Sequence, residues 1–241
     1  MRVEFAASIA KDPDTGVYNE DLFRFSSDRA IAAVSDGASE SFDSRSWADI
    51  LCALSCSGEG VSPQSVFRAV QRYNALYDPA ELPWSKAAAF ERGSFATLLS
   101  IRHNSSRSEI EAVGVGDTVF LLIEGQDVVR RFPLASSGEF EQRPQLLSTR
   151  SRLNSFLEDP LFNTTHTLVA AVTPKAIVLV LTDAIGSWCY KALEEGRNDW
   201  RLLLSIKSED EFRDFVWNER AEKRMKSDDT TLVRLSFEED S

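Results

Sequence analysis

Two histidines and three cysteines leave this chain of 241 residues little material for a zinc site or a disulfide framework. His103 and His166 are read as strand-end residues with no partner at metal-ligand spacing. Three thiols cannot all pair with one another, and Cys52 and Cys56 fall on one helical face. They are read as reduced, packed thiols of a cytoplasm-like compartment, as is Cys189. No apolar run approaches the roughly 20 residues of a membrane helix. The N-terminal MRVEFAASIAKDPD carries acids early and lacks an apolar h-region, so no secretory signal is expected. Basic charge is also short: 27 Lys and Arg against 38 Asp and Glu give a formal net charge of −11. That balance disfavours nucleic acid and anionic membranes as partners. It does not exclude a phosphorylated substrate, because bound cations reverse the local field. No GxGxxG fingerprint opens a helix, no Pro- or Gly-rich linker divides the chain, and no internal repeat is present.

What is there is an ordinary globular composition, 43% hydrophobic, enough for a sizeable core. Short apolar runs at Val3–Ile9, Leu22–Phe25 and Arg29–Ser35 predict strands. Helical spacing follows over Phe42–Cys56, where Trp47, Ile50, Leu51 and Leu54 share a face. A second helix is expected over Pro63–Tyr77, started by Ser62-Pro63, and a third near Trp84–Glu91. Phe95–Arg102, Glu109–Val115, Val119–Ile123 and Val128–Phe132 read as a four-strand meander, with EGQD as a hairpin turn. Ser136–Pro160 is expected to be loop with one short helix. Strands at Thr165–Val172 and Ala176–Leu181, helices near Ile185–Glu194, Asp199–Leu204 and Glu209–Lys223, and a strand at Thr230–Ser236 complete the pattern. Helix blocks between antiparallel-looking strands make this α+β rather than alternating βαβ. One domain over 1–241, with a solvated acidic tail at 237–241, is the simplest organisation. Trp47, Trp84, Trp188 and Trp217 are assigned to core or rim.

The chemistry-bearing residues are carboxylates at strand ends: Asp36 in IAAVSDG, Asp117 in VGVGD, Asp183 in VLVLTD, and Asp228-Asp229 in SDDTTLV, with Glu20-Asp21 in YNEDLF. Taken singly, each has a bland alternative. Asp-Gly is a common turn, and Thr182 or Asp183 can cap the helix that follows. Ser39, Glu40 and Ser41 read as caps of the Phe42 helix in preference to shaping a substrate loop. Taken together, carboxylates converging at one sheet rim repel unless protons or cations neutralise them. Oxygen-rich sites of this kind suit Mg²⁺ and Mn²⁺. No C-x5-R loop surrounds any cysteine, so thiolate phosphatase chemistry is not indicated.

The order NED, VSDG, RGSFATLL, VGVGDT, VLVLTDAIGSW, DDTTLV resembles the metal-dependent protein phosphatase 2C (PPM) family from about Phe5 to Leu235. Its DGAS and TDA variants look closest to a divergent bacterial branch. The resemblance implies a four-layer αββα sandwich of two antiparallel sheets flanked by helices. It implies hydrolysis of phosphoserine or phosphothreonine proteins by a metal-activated water, with two Mn²⁺ or Mg²⁺ ions and a third, weaker one. A cognate kinase system would then supply the substrate. By position, Asp36 would bridge two ions with the Gly37 carbonyl beside it, and Asp183 and Asp228 would hold one ion. Asp229 is the alternative to Asp228. Glu20 and Asp21 would act near the second ion, and Asp117 matches the ligand of the third. The resemblance thus implies Asp36, Asp183 and Asp228 as the catalytic set. Departures are also clear. The family's phosphate-binding arginine about three residues before NED is Gly16, leaving Lys11 as the nearest basic residue for substrate phosphate. Ala38 stands where some members have histidine, Ala184 replaces the glycine of SDG, and Ser187 replaces a further aspartate. The competing implication is a catalytically weak or inactive phosphatase-like binding or regulatory module.

Overall fold

The computed structural model describes residues 1–12 and 18–237. The chain begins with strands β1 (Arg2–Ile9), β2 (Asp21–Ser26) and β3 (Ile31–Asp36). Helices α1 (Ser44–Cys56), α2 (Pro63–Asn74) and α3 (Trp84–Arg92) follow. Next come β4 (Phe95–Ala96), β5 (Leu98–Asn104), β6 (Glu109–Val115), β7 (Val119–Glu124), β8 (Asp127–Phe132) and β9 (Leu147–Ser148). The remainder is α4 (Phe162–His166), β10 (Thr167–Ala171), β11 (Ile177–Leu181), α5 (Asp183–Glu194), α6 (Trp200–Ser205), α7 (Glu209–Ala221) and β12 (Thr230–Ser236).

Two five-stranded sheets form, in the orders β1-β12-β11-β7-β8 and β10-β6-β5-β3-β2, and every pairing is antiparallel. The layering follows from which faces are apolar. In β7, Phe120 and Leu122 join Val178, Val180, Val34 and Ile101 in a core between the sheets. Their neighbours Val119, Leu121 and Ile123 face the other way, with Leu179 and Leu181, onto Ile185, Trp200, Phe212 and Val216 of α5–α7. Strands buried on both faces read as continuous hydrophobic runs, which is why Val119–Ile123 and Ile177–Leu181 show no alternation. On the far side, Trp47, Leu51 and Leu54 of α1 and Val66 and Tyr73 of α2 cover Ala33, Leu98 and Val115. The result is the αββα sandwich expected from the sequence.

Several local expectations need correction. The four-strand meander is two hairpins in different sheets: β5 pairs with β6 and β7 with β8, but β6 and β7 are not neighbours. The chain changes sheet at Gly116, whose φ of 97° only glycine adopts without strain. Thr165 and His166 end the short helix α4 instead of starting a strand. The segment expected to be loop holds two 3₁₀ stretches and β9, which pairs with β4. Asp43, not Ser39–Ser41, caps α1 by accepting from the Ser46 N–H. Trp84 is 87% exposed and belongs to no core. Phe237 is buried against His103 rather than part of a solvated tail; residues 238–241 lie outside the described residues.

Candidate metal centre

Antiparallel pairing brings the C-terminal end of one strand beside the start of its neighbour, so acids at both kinds of end share one rim. Asp36 closes β3 and lies opposite Asp21, which opens β2. Asp183 is the first residue of α5, immediately after β11, where the helix dipole favours a carboxylate. Asp228 and Asp229 precede β12, and Asp117 sits on the crossover between β6 and β7. Asp36, Gly37, Asp117, Asp183 and Asp228 line one cavity of about 150 Å³, with Ala38, Ser39, Thr97, Pro144 and Leu146 completing its wall.

A relay of threonines sets the positions of these acids. The Asp36 N–H donates to Thr97 Oγ1 at 2.8 Å, and Thr97 and Thr118 hydroxyls meet at 2.6 Å across the sheet change. Thr182, expected as a cap, makes no capping bond. Its hydroxyl donates to Asp21 Oδ2 at 2.9 Å and accepts from the Thr231 N–H at 2.9 Å, while the Thr231 hydroxyl donates to the same Asp21 oxygen at 2.7 Å. Asp21 thus lies behind the cavity wall. Glu20 is also set back, accepting from Ser44 at 2.5 Å and from Lys11 Nζ at 3.2 Å.

The two candidate residues of SDD have different placements. Asp228 lines the cavity. Asp229 is buried, and its two oxygens accept the Lys11 N–H at 2.7 Å and the Glu20 N–H at 2.6 Å, tying the N-terminal segment to the head of β12. Lys11 Nζ is engaged by Ser39 Oγ at 2.6 Å as well as by Glu20. Gly16 lies outside the described residues.

Two basic residues carry roles that motif reading missed. Arg220 of α7 donates to the carbonyls of Ala10 and Asp228 and to Thr230 Oγ1, clamping the loop ahead of β12. Lys226 places its Nζ 2.9 Å from Asp183 Oδ2 and 2.8 Å from Asp228 Oδ2. A lysine two residues before an aspartate pair was the only available signal, and it is weak without knowing that β11 and β12 are neighbours.

The electrostatics follow from crowding. Burial, then Asp21, Asp183 and Asp117, push the Asp36 carboxyl well above the usual carboxylate range. Burial raises Asp21 to about 8 and Asp117 to about 6, the charge of Asp183 adding to the latter. Asp183 is raised by burial although Lys226 opposes the shift. Burial works against the Lys226 ammonium, yet its hydrogen bonds to Asp228 and Asp183 raise it overall.

A divalent cation fits the donor chemistry of this rim. The donors are all oxygen, and the buried Asp21 Oδ1 and Asp183 Oδ1 have no hydrogen-bond partner. Among the described residues, no three His, Cys, Asp or Glu side chains are already drawn together as a closed coordination shell. Two of the four cavity carboxylates have Lys226 as their cation instead.

No family model and no curated protein matches the chain by sequence. Solved structures match it by fold. The serine/threonine phosphatase PstP/Ppp of Mycobacterium tuberculosis superposes with a TM-score of 0.60 at 12% identity, over 98% of this chain and 100% of that one. The serine/threonine phosphatase Stp1 of Staphylococcus aureus gives 0.61 at 12% identity, over 99% and 96% of the two chains. The PPM Ser-Thr phosphatase MsPP of Mycobacterium smegmatis, solved in complex with cacodylate, gives 0.54 at 17% identity, over 98% and 100%. At these identities the likeness establishes the fold.

Proposed function

We propose that the chain is a metal-dependent phosphoprotein phosphatase acting on phosphoserine or phosphothreonine. The observation that carries this reading is the convergence of Asp36, Asp117, Asp183 and Asp228, from four separate places in the chain, on one cavity of a phosphatase-like fold. Divalent ions held there, Mn²⁺ or Mg²⁺, would supply Lewis acidity toward water and a counter-charge for phosphoryl oxygens. Asp36, Asp183 and Asp228 are the proposed principal ligands with the Gly37 carbonyl, and Asp117 serves a weaker third ion. Asp21 and Glu20 would support the centre from behind, near the second ion.

Substrate phosphate would enter past Ser39, whose hydroxyl Lys11 Nζ contacts at 2.6 Å. Lys11 is a point charge rather than a bidentate fork, so capture would be looser than an arginine gives. Substrates of this class require a protein kinase to make them. The three free cysteines are consistent with a reducing cytoplasm.

The test is hydrolysis of p-nitrophenyl phosphate and of phosphoserine, phosphothreonine and phosphotyrosine peptides with Mn²⁺. Asp36→Asn should lose at least about 100-fold in kcat/KM, since metal assistance is worth several kcal/mol. Lys11→Ala should raise KM with little change in kcat. Equal background rates in wild type and Asp36→Asn would remove the enzyme reading and leave a phosphatase-like binding module.

A further inference from the structure

We infer that Lys226 is an internal competitor for the metal centre, its ammonium taking the place between Asp183 and Asp228 that a divalent ion must win. The inference rests on the metal-dependent reading above and adds a residue that sets the threshold of ion binding. One nitrogen holds an oxygen of each carboxylate, at 2.9 and 2.8 Å. An ion at ordinary ligand distances from those oxygens would lie within a few ångströms of that nitrogen, where two cations in a partly buried site repel strongly. The ammonium and the ion therefore exclude each other.

The placement is built into the fold. Met225, the preceding residue, is buried in the core beneath α5 and α7. Two residues beyond, the Asp228 carbonyl is held by Arg220. The backbone on both sides of Lys226 is thus anchored, and only the four-carbon stem is free to swing. That side chain is 62% exposed, so it can leave for solvent without opening the core. In the absence of metal it supplies the counter-charge that Asp183 and Asp228 need. The protein then tolerates an empty centre but binds its ion less tightly than the same acids would without the lysine. Half-saturation of the centre is thereby moved to a higher ion concentration.

The experiment is a Mn²⁺ titration of wild type, Lys226→Met and Lys226→Arg at one pH and ionic strength, read by calorimetry or by the electron paramagnetic resonance of free Mn²⁺. Melting temperatures are measured alongside in chelator. Lys226→Met should bind the first ion about tenfold tighter or more, and should melt lower than wild type in chelator. Lys226→Arg should bind as weakly as wild type. Lys226→Gln is a second neutral variant should the methionine at an exposed position aggregate. Mn²⁺ binding by the neutral variants equal to or weaker than wild type overturns the role of Lys226 and leaves the metal-dependent reading standing. Failure of every variant to bind Mn²⁺ overturns that reading and this inference together.

Discussion

Asp21 is 3% exposed and shares its Oδ2 between two threonine hydroxyls, while its buried Oδ1 has no hydrogen-bond donor. Burial lifts its folded pKa to about 8, against an ordinary carboxylate value in the unfolded chain. The fold therefore favours the protonated form. The stability this group contributes is complete below about pH 4 and is lost as pH rises through about 8. Asp117, raised to about 6, acts in the same sense over a narrower window. In chelator, the melting temperature should fall between pH 5 and pH 8, Mn²⁺ should abolish the fall, and Asp21→Asn should reduce it, the raised Asp36, Asp117 and Asp183 keeping the remainder. A chelator-treated profile that rises over this interval would contradict the assignment. At this scale the acids were legible in the sequence because each stands at the end of an apolar run, where a carboxylate is conspicuous. Whether Asp228 or Asp229 faces the cavity was not, since a one-residue choice depends on which backbone N–H groups lie within reach. Lys226 and Arg220 were invisible for the same reason: their partners are close only through space.

Among elements, the sheet change at Gly116 matters most. A Cβ at this position would stand 2.6 Å from Thr97 Cγ2, in addition to the strain of its positive φ. Left-handed strain and overpacking together predict that Gly116→Ala destabilises by about 2–5 kcal/mol, measurable by denaturant unfolding. Thr97 also holds the Asp36 N–H, so the same variant should weaken Mn²⁺ binding even where it remains folded. Unchanged Mn²⁺ affinity in the folded variant would disconnect the crossover from the centre. Long elements such as α1, α2 and β12 were readable because their periodic faces extend over several residues. The two-residue partners β4 and β9 are too short to carry a period, and the apparent meander misled because strand spacing does not say which sheet a strand joins.

For the molecule as a whole, three apolar layers share two sheets, and each central strand contributes to two of them. Damage to one layer should be felt by all. Phe120, fully buried between the sheets and packed 5.8 Å from the Phe132 ring, is the probe of choice. Phe120→Ala should cost about 3–5 kcal/mol and shift a single unfolding transition seen alike by fluorescence and circular dichroism. Two separated transitions would mean that the chain is not one cooperative unit. The α+β layering could be anticipated from helix blocks set between strand runs, whereas the strand order rests on pairings between segments remote in sequence.

That order has a consequence for biosynthesis. The most C-terminal strand, β12, lies in the interior of its sheet, between the most N-terminal strand and β11, and it is preceded by Lys226, Asp228 and Asp229. A nascent chain emerging from the ribosome holds β1 and β11 apart until this segment arrives. The carboxylate cavity cannot gather its full set of oxygens before then. A chain halted ahead of Asp228 would leave the β12-facing edges of β1 and β11 unpaired and the carboxylate cavity incomplete.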